Sequence, residues 1–550
     1  MSGRWTPYGE RGLYVDLGLE KAPDRATRTH AAAAALRERL GARALEVVVG
    51  AGAILVTDIA RGVDVEALAL EALGAAGTQR AAGSEGVSAS AAALPSGREA
   101  EATVRHHVVS VVYDGPDLTE VATLLGVSPE EVIALHTGAE VVVELLGFLP
   151  GFAYCSGVAP RLSLPRRGSP RASVPAGSVA VAGGFTGIYP RASPGGWWLL
   201  GRALGVTPFD PGREPAMLFA PGDRVRFARA EVPSSEHAAV SPGARGTAGG
   251  SRAVQGASSG QRALDLVAVS AVATIQDGGR PGRLSQGLPP SGPLDATTHA
   301  AANRAVGNPS NAAAIEIPLG SLEVQAVGEV VVSIDGARAV RLSDGERLRV
   351  PSSDVAVRYL AVQGGIDVPV QLGARATLLA AGLGGFEGRP LRRRDRLLVG
   401  ETHQESRRDG ADDEREERGG IGKEGGGGNP DGSGEHEECI TLDPGPHVDR
   451  FPPGALDALV DGTWHVSRHV DRVGMRLEGA RVPREGPDLA LPAPMVRGAV
   501  QVTTDGTPIV LGPDHPVTGG YPVLAVVRPT RQAQLARRRP GEAVRFALAR

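Results

Sequence analysis

The stretch Gly177-Ser-Val-Ala-Val-Ala-Gly-Gly-Phe-Thr-Gly-Ile-Tyr-Pro190, followed by Pro221-Gly-Asp-Arg-Val-Arg-Phe227, has a partner much later in the chain. There Gly498-Ala-Val-Gln-Val502 leads to Thr518-Gly-Gly-Tyr-Pro522 and then to Pro540-Gly-Glu-Ala-Val-Arg-Phe546. Short β-branched runs between Gly/Pro punctuation read as strands too brief for a doubly wound sheet and suited to a closed barrel or sandwich. Two copies imply two related β-rich modules joined in one chain. Fainter copies of the closing piece stand at Asp344-Gly-Glu-Arg-Leu-Arg-Val350 and Arg394-Asp-Arg-Leu-Leu-Val399. The Pro-Gly-Asp and Pro-Gly-Glu pieces read as turns that deliver a barrel-closing strand, without catalytic meaning.

Around this repeat the texture varies. Residues 13–17 alternate as a strand, 29–40 form an Ala-rich helix, 44–49 and 53–57 are strands, and 65–73 is helical by spacing. Residues 1–100 therefore read as a small α+β domain, with 77–102 a loose connector. Ser128-Pro-Glu-Glu131 carries a capping box with Pro at the first helical position. Asp117-Leu118 starts the preceding helix, and His136 at the next helix end can act as a capping imidazole. Runs at 141–146, 178–182, 197–200 and 224–227 place a barrel over 101–230. A Ser/Ala/Gly-rich linker covers 231–262. The second module is read as a first part over 263–401, a disordered charged and Gly-rich insert over 402–437, and a closing barrel part over 438–550.

At 550 residues with 42% hydrophobic and 22% charged residues, the chain is an ordinary multidomain globular protein. A net charge of -4 and the lack of a basic stripe exclude a general nucleic-acid binder. Lys21 and Lys423 are its only lysines, so there is no phosphate-loop lysine and no lysine to carry biotin. Anions must be held by arginine forks and backbone N–H groups. Cys155 and Cys439 suggest neither a disulfide framework nor a metal site. No signal peptide or membrane-length apolar run is read, and the cytoplasm is the expected location.

Candidate chemistry gathers in two clusters. In Gly147-Phe-Leu-Pro-Gly-Phe-Ala-Tyr154, the rings Phe148, Phe152 and Tyr154 crowd a turn built around Gly151, as the lining of a core or pocket would. Arg161, Arg166, Arg167 and Arg171 follow. Gly177, Ser178 and Tyr189 come next, and Ser193-Pro-Gly195-Gly196-Trp197 offers a bare turn. The second cluster opens with Thr274-Ile-Gln276-Asp277-Gly-Gly-Arg280 and continues with Ser291, Asp295, Asn303 and Glu316. Asp277, Asp295 and Glu316 are candidate acids, bases or Mg²⁺ ligands. His515, between Asp514 and Gly519-Gly520-Tyr521, is the histidine singled out. No zinc site is read at His465 and His469, and Gly256-Ala-Ser-Ser-Gly260 lies in the linker with no strand before it.

Taken in order, Tyr113-Asp-Gly-Pro-Asp-Leu118, His136-Thr137, the 147–154 segment, Val174-Pro-Ala-Gly-Ser-Val179, Thr186–Pro190 and Ser193–Trp197 resemble the allophanate-hydrolase-subunit-1 family, the B subunit of 5-oxoprolinase. Gln276–Arg280, Ser291–Asp295, Ala302-Asn303, Gly307-Asn308, Gly364-Gly-Ile-Asp367, Gly373-Ala-Arg-Ala-Thr377 and Asp514–Pro522 resemble the subunit-2 family, its C subunit. Ala374 and Ala376 stand where that family usually has serines. The resemblance implies a mainly β chain with cyclophilin-like β-barrels in both modules. It implies ATP, with Mg²⁺, used to activate 5-oxoproline for opening to glutamate beside a separate A-like subunit. The residues expected to act are Asp277, Arg280, Asp295 and His515, with Phe148, Gly151, Phe152, Tyr154, Arg166, Arg171, Gly177, Ser178, Tyr189, Gly195, Gly196, Gln276, Asn303, Gly519, Gly520 and Tyr521 binding substrate and nucleotide. The same modules occur in urea carboxylase, so a carboxyltransferase with biotin supplied by another chain stays open. So do a kinase-regulatory module without turnover and a homo-oligomer.

Overall fold

Both faces of the N-terminal sheet are buried, which is what positions this domain. The computed structural model describes residues 3–82, 104–231, 261–401 and 439–549. Four antiparallel strands run in the order Arg4–Pro7, Leu13–Asp16, Ala53–Thr57 and Glu46–Val49. Alternation sends Leu13, Val15, Val47, Val49, Ile54 and Val56 under the helices Arg25–Leu40 and Val65–Ala82. It sends Tyr14, Val48 and Leu55 the other way, against Met495, Val517 and Val523 of the last domain. The second helix continues past the expected end at 73 into the first residues of the expected connector, since an Ala-rich sequence has no reason to stop there. The rest of that connector, nearly all of the 231–262 linker and the whole 402–437 insert lie outside the described residues.

The first module closes on itself. Seven strands form a barrel in the order Phe185–Ile188, Ala153–Ser156, Glu140–Leu146, Arg224–Arg229, His106–Val112, Trp198–Ala203 and Ser178–Ala182. The strand delivered by Pro221-Gly-Asp223 pairs parallel with His106–Val112 and antiparallel with Glu140–Leu146, so this turn is the closure. Asp223 is buried and accepts from Ala220 N–H, Arg105 and the His107 ring, which locks the turn. The capping box is present, with Ser128 and Glu131 bonding each other's backbone N–H. His136 is not a cap. It is buried in the barrel with its ring nitrogens on Tyr113 and Thr186.

The second module has two parts. Residues 263–398 build a four-stranded and a five-stranded sheet whose inner faces share one core. The following barrel runs Ala543–Val544, Trp464–Val470, Gly474–Gly479, Pro508–Leu511, Ala499–Val502, Val523–Val527, Ile440–Pro444 and Phe546–Leu548. Its two end strands are one chain segment broken at Arg545, so the barrel is nearly closed. Phe546–Leu548 lies parallel to Ile440–Pro444, the same closure as in the first barrel.

The strand order corrects one part of the repeat. Ser178–Ala182 corresponds to Ala499–Val502, and each is followed by its own hairpin partner, Phe185–Ile188 and Pro508–Leu511. Thr186 lies inside its partner strand, whereas Thr518 comes after its partner strand, in the loop that leads to Val523–Val527. Its topological counterpart is the Ser193-Pro-Gly-Gly segment that leads to Trp198–Ala203. The two Thr-Gly-x-Tyr-Pro motifs match in letters but not in place, because Gly and Pro suit any exit from a strand.

Candidate functional site

Phe152 is the hub of the 147–154 segment. Its ring meets Tyr154, Trp197, Tyr189 and Phe148 edge-on at centroid distances of 5.0, 5.2, 5.3 and 5.4 Å. Phe152, Tyr154 and Tyr189 are buried, so these rings form a packed wall. Phe148 holds a positive φ of 63° and Gly151 one of 86°, the bend that folds the segment onto itself. Gly195 is required by approach, since a Cβ there would lie 2.9 Å from the Tyr189 ring carbons. The N–H groups of Gly177 and Ser178 are already spent on the Tyr189 and Pro175 carbonyls, and the Gly196 carbonyl accepts from Arg167 N–H. The expected anion cradle at 177–178 is therefore closed.

The arginines divide. Arg171 and Arg167 both donate to Asp117 Oδ1, at 2.5 and 2.9 Å, while Asp117 Oδ2 accepts from Leu199 N–H. Asp117 thus ties the arginine run to the barrel and leaves the helix start uncapped. Arg161 donates to the Leu125 carbonyl. Arg166 makes no ion pair or hydrogen bond among the described residues. It is exposed, stands beside Gly520 and acts on the phenols of Tyr154 and Tyr189. Burial pushes the Tyr154 hydroxyl up, and the Arg166 charge opposes it.

In the second module the expected catalytic carboxylates are structural. Asp277 accepts from the N–H groups of Gly279, Arg375 and Ala376, fastening its turn to the 373–377 loop. Asp295 caps the helix Ala296–Ala305 through the N–H groups of Thr297 and Thr298, and its other oxygen holds Arg537 at 2.6 Å. Asp295, which also accepts from the Thr298 hydroxyl, has all four acceptor positions filled, while Asp277 has three of its four filled. Asn303 bonds the Ala312 carbonyl and Asn308, which also makes it structural. Gln276 donates to Thr274 and the Thr377 carbonyl. Arg280 is buried, donating to Ser291 Oγ and the Ala376 carbonyl, and desolvation lowers its pKa. Among the described residues no group of three or more His, Cys, Asp or Glu could hold a metal ion.

The strongest electrostatic feature was not read from the sequence. Arg472 is buried between the sandwich and the last barrel. It grips Asp514 bidentately at 2.8 and 3.1 Å, Glu316 at 2.5 Å and the Gly292 carbonyl at 2.7 Å. Burial opposes its charge, and the two carboxylates more than offset that, raising its pKa. Glu316 also takes the Tyr359 hydroxyl and the Leu294 N–H. Glu316 and Asp514 were visible in the sequence. Arg472, in a plain hairpin, carried no local signal.

Asp514 begins a loop that connects the two clusters. Ser291 N–H donates to the Pro513 carbonyl, and Arg280 feels the Asp514 charge. His515 is buried with Nδ1 near the Pro516 carbonyl, and burial lowers its pKa to about 4. Thr518 lies against Gly147 and faces the Tyr154 phenol without a well-aligned hydrogen bond. Gly519 packs on Gln501 and Met495, Gly520 faces Arg166, and Gln501 donates to the Tyr521 carbonyl. Among the described residues eight side chains each have a buried polar atom without a partner, and Gln276, Arg280, His515 and Thr518 are four of them. Each such atom costs about 1–3 kcal/mol, and two of them, His515 Nε2 and Thr518 Oγ1, lie on the 512–521 loop, with Arg280 close enough to feel Asp514. The loop 512–521, Arg166 and the aromatic wall are the candidate site.

Two parts of one domain family match in tandem. "Carboxyltransferase domain, subdomain C and D" covers residues 3–219, and "Carboxyltransferase domain, subdomain A and B" covers 286–548. The chain is 34% identical over 298 residues to the 5-oxoprolinase C subunit of Escherichia coli (strain K12), covering 52% of this chain and 90% of that protein. It is 50% identical over 115 residues to the 5-oxoprolinase B subunit of Bacillus subtilis (strain 168), covering 21% of this chain. That match spans about half of the Bacillus subtilis relative, 48% of its length. Among solved structures, that of TTHA0988 superposes with a TM-score of 0.71 at 32% identity, covering 98% of this chain and 99% of the other.

Proposed function

Because the chain belongs to the carboxyltransferase-domain family that includes the B and C subunits of 5-oxoprolinase, we propose that it is a fused B/C component of an ATP-dependent 5-oxoprolinase. In this reading it activates the lactam of 5-oxoproline for hydrolysis to glutamate, and the reaction is completed by a separate A-like subunit. The observation that carries the reading is the free Arg166 cation beside the Gly519-Gly520 turn and the Tyr154 phenol. 5-Oxoproline is a small ring with one carboxylate. An arginine fork next to bare backbone, with a rigid aromatic wall behind it, suits such a molecule.

The activation step transfers the γ-phosphoryl group of ATP to the lactam oxygen, releasing ADP. Water then adds at the ring carbon, the C–N bond opens and phosphate leaves. The chain's task in that step is positioning and charge stabilisation. Arg166 holds the carboxylate. Thr518 and His515 Nε2, both buried and unpaired, are placed on the loop to meet the polar groups of a bound ring. Arg280 acts through Ser291 and the 373–377 loop as a positioning residue. Mg²⁺ arriving with ATP would take most of its ligands from phosphate and water, since Asp295 is fully hydrogen-bonded and Asp277 nearly so.

The test is 5-oxoproline-dependent release of ADP and glutamate by this chain with an A-type subunit. Arg166→Ala is expected to lower kcat/KM about 10- to 100-fold, the value of a charge-assisted contact, with Arg166→Lys partly restoring it. A wild-type pair that consumes no ATP with 5-oxoproline present would sink the reading. The carboxyltransferase description of the matched domains favours a second reading, carboxyl transfer from biotin on another chain to a small amide. It predicts turnover only with a biotinylated carrier.

A further inference from the structure

A cavity lies against Arg472. It has a volume of about 440 Å³ and opens between the sandwich and the last barrel. Its interior is apolar, with Val357, Met475, Val510 and Leu535 on the walls. Its rim carries Val272, Leu319 and Val473, which are 57%, 43% and 40% exposed. Apolar side chains left in water around the mouth of an apolar cavity mark a binding surface.

Arginine supplies the polar end. Arg472 is neutralised there by Asp514 and Glu316. Arg497 is not neutralised in this way. Its guanidinium donates to the carbonyls of Pro293 and Leu294, at 3.1 and 2.6 Å, and no carboxylate pairs with it among the described residues. Glu316 and Asp514 act on it only at longer range while they hold Arg472 directly, so the Arg497 guanidinium, hydrogen-bonded to neutral carbonyls, would gain from an anion of its own. Arg538 adds a second cation without an ion-pair partner among the described residues.

We propose that this cavity binds an amphipathic monocarboxylate, an aliphatic acid of roughly six to ten carbons. Its carboxylate sits on Arg497 and its tail lies along Met475 and Leu535. The cavity touches the start of the 512–521 loop at Gly512, Pro513 and Asp514 and does not include Arg166, and the inference does not rest on the proposed 5-oxoprolinase activity.

Isothermal titration of the full chain with hexanoate, octanoate, decanoate and 1-octanol tests it. Saturable binding of the acids is expected, tightening about four-fold per added methylene, with 1-octanol about ten-fold or more weaker than octanoate. Arg497→Met should erase the preference for the acid over the alcohol. Val473→Trp, at the exposed rim, should block binding while leaving the melting temperature unchanged, and it covers the case in which Arg497→Met fails to fold. No saturable heat with any acid would overturn the proposal and leave the rim to an apolar protein partner. Equal affinity for octanoate and 1-octanol, or binding untouched by Val473→Trp, would overturn it as well.

Discussion

His136 sits inside the first barrel with Nδ1 2.7 Å from the Tyr113 hydroxyl and Nε2 2.8 Å from Thr186 Oγ1. His447 takes the Val523 N–H on Nδ1 and faces Tyr14 with Nε2. Burial lowers His136 and His515 to about 4 and His447 to about 3, so all three are neutral when folded. In the unfolded chain they take up protons near pH 6.5. Above that pH neither state binds the proton and nothing is gained. As pH falls from about 6.5 towards 4 only the unfolded chain is protonated, so stability is lost across that window. Burial lowers His30 and His299 as well, so thermal melts from pH 7.5 to 4 should show a steep fall in Tm below 6.5 that His136→Gln makes shallower without abolishing it. The same scale separates structure from catalysis at Asp295. Asp295→Ala removes a helix cap and the Arg537 pairing, and is expected to cost about 1–2 kcal/mol in denaturant unfolding. Turnover at temperatures where the variant is folded should stay within a few-fold of wild type. A collapse of kcat with Tm unchanged would return Asp295 to the catalytic residues.

At the scale of elements, the 512–521 loop matters most, and what fixes it is the close approach of Gly147. A Cβ on Gly147 would lie 2.6 Å from Thr518 Cγ2 and 2.8 Å from Thr518 Cβ. Gly147→Ala should therefore displace the loop from the aromatic wall and reduce activity at least ten-fold. Thr518→Gly removes the side-chain atoms in that clash, so the double variant should regain loop docking, which the cycle of single and double variants would report as a favourable coupling. Equal, additive losses would mean that Gly147 is needed for its backbone alone. Much of this element level was legible in the sequence. The capping box at 128–131, the strand at Ser178–Ala182 and the closing turn at 221–223 are local patterns with local causes. The register of Thr-Gly-x-Tyr-Pro was not, because one turn chemistry serves two different strand exits. Nor was the role of Asp277 and Asp295, since a carboxylate that caps backbone N–H groups has the same neighbours in sequence as one left free.

The molecule as a whole is held by contacts that no local pattern announces. Glu46 accepts from the N–H groups of Leu284 and Ser285, joining the N-terminal domain to the second module. Arg25 forks onto Glu144 at 2.6 and 2.9 Å, joining it to the first barrel. Leu288, Leu378, Ala381 and Leu383 of the second module lie in the core of the first barrel. Tyr8, Tyr14 and Leu55 share a core with Met495, Val517 and Val523. Each partner is a residue whose own window looks ordinary, so the sequence shows two modules but hides how closely they share cores. These shared surfaces are apolar and buried, unlike the more polar contacts of domains that move freely. Covalent linkage through the 231–262 segment is then unnecessary for association. Residues 1–231 and 261–550 expressed as separate chains should co-elute as a one-to-one complex in gel filtration and retain the activity of the intact protein. Separation of the halves at micromolar concentration would mean that the fusion itself, through its effective concentration, holds the candidate site together.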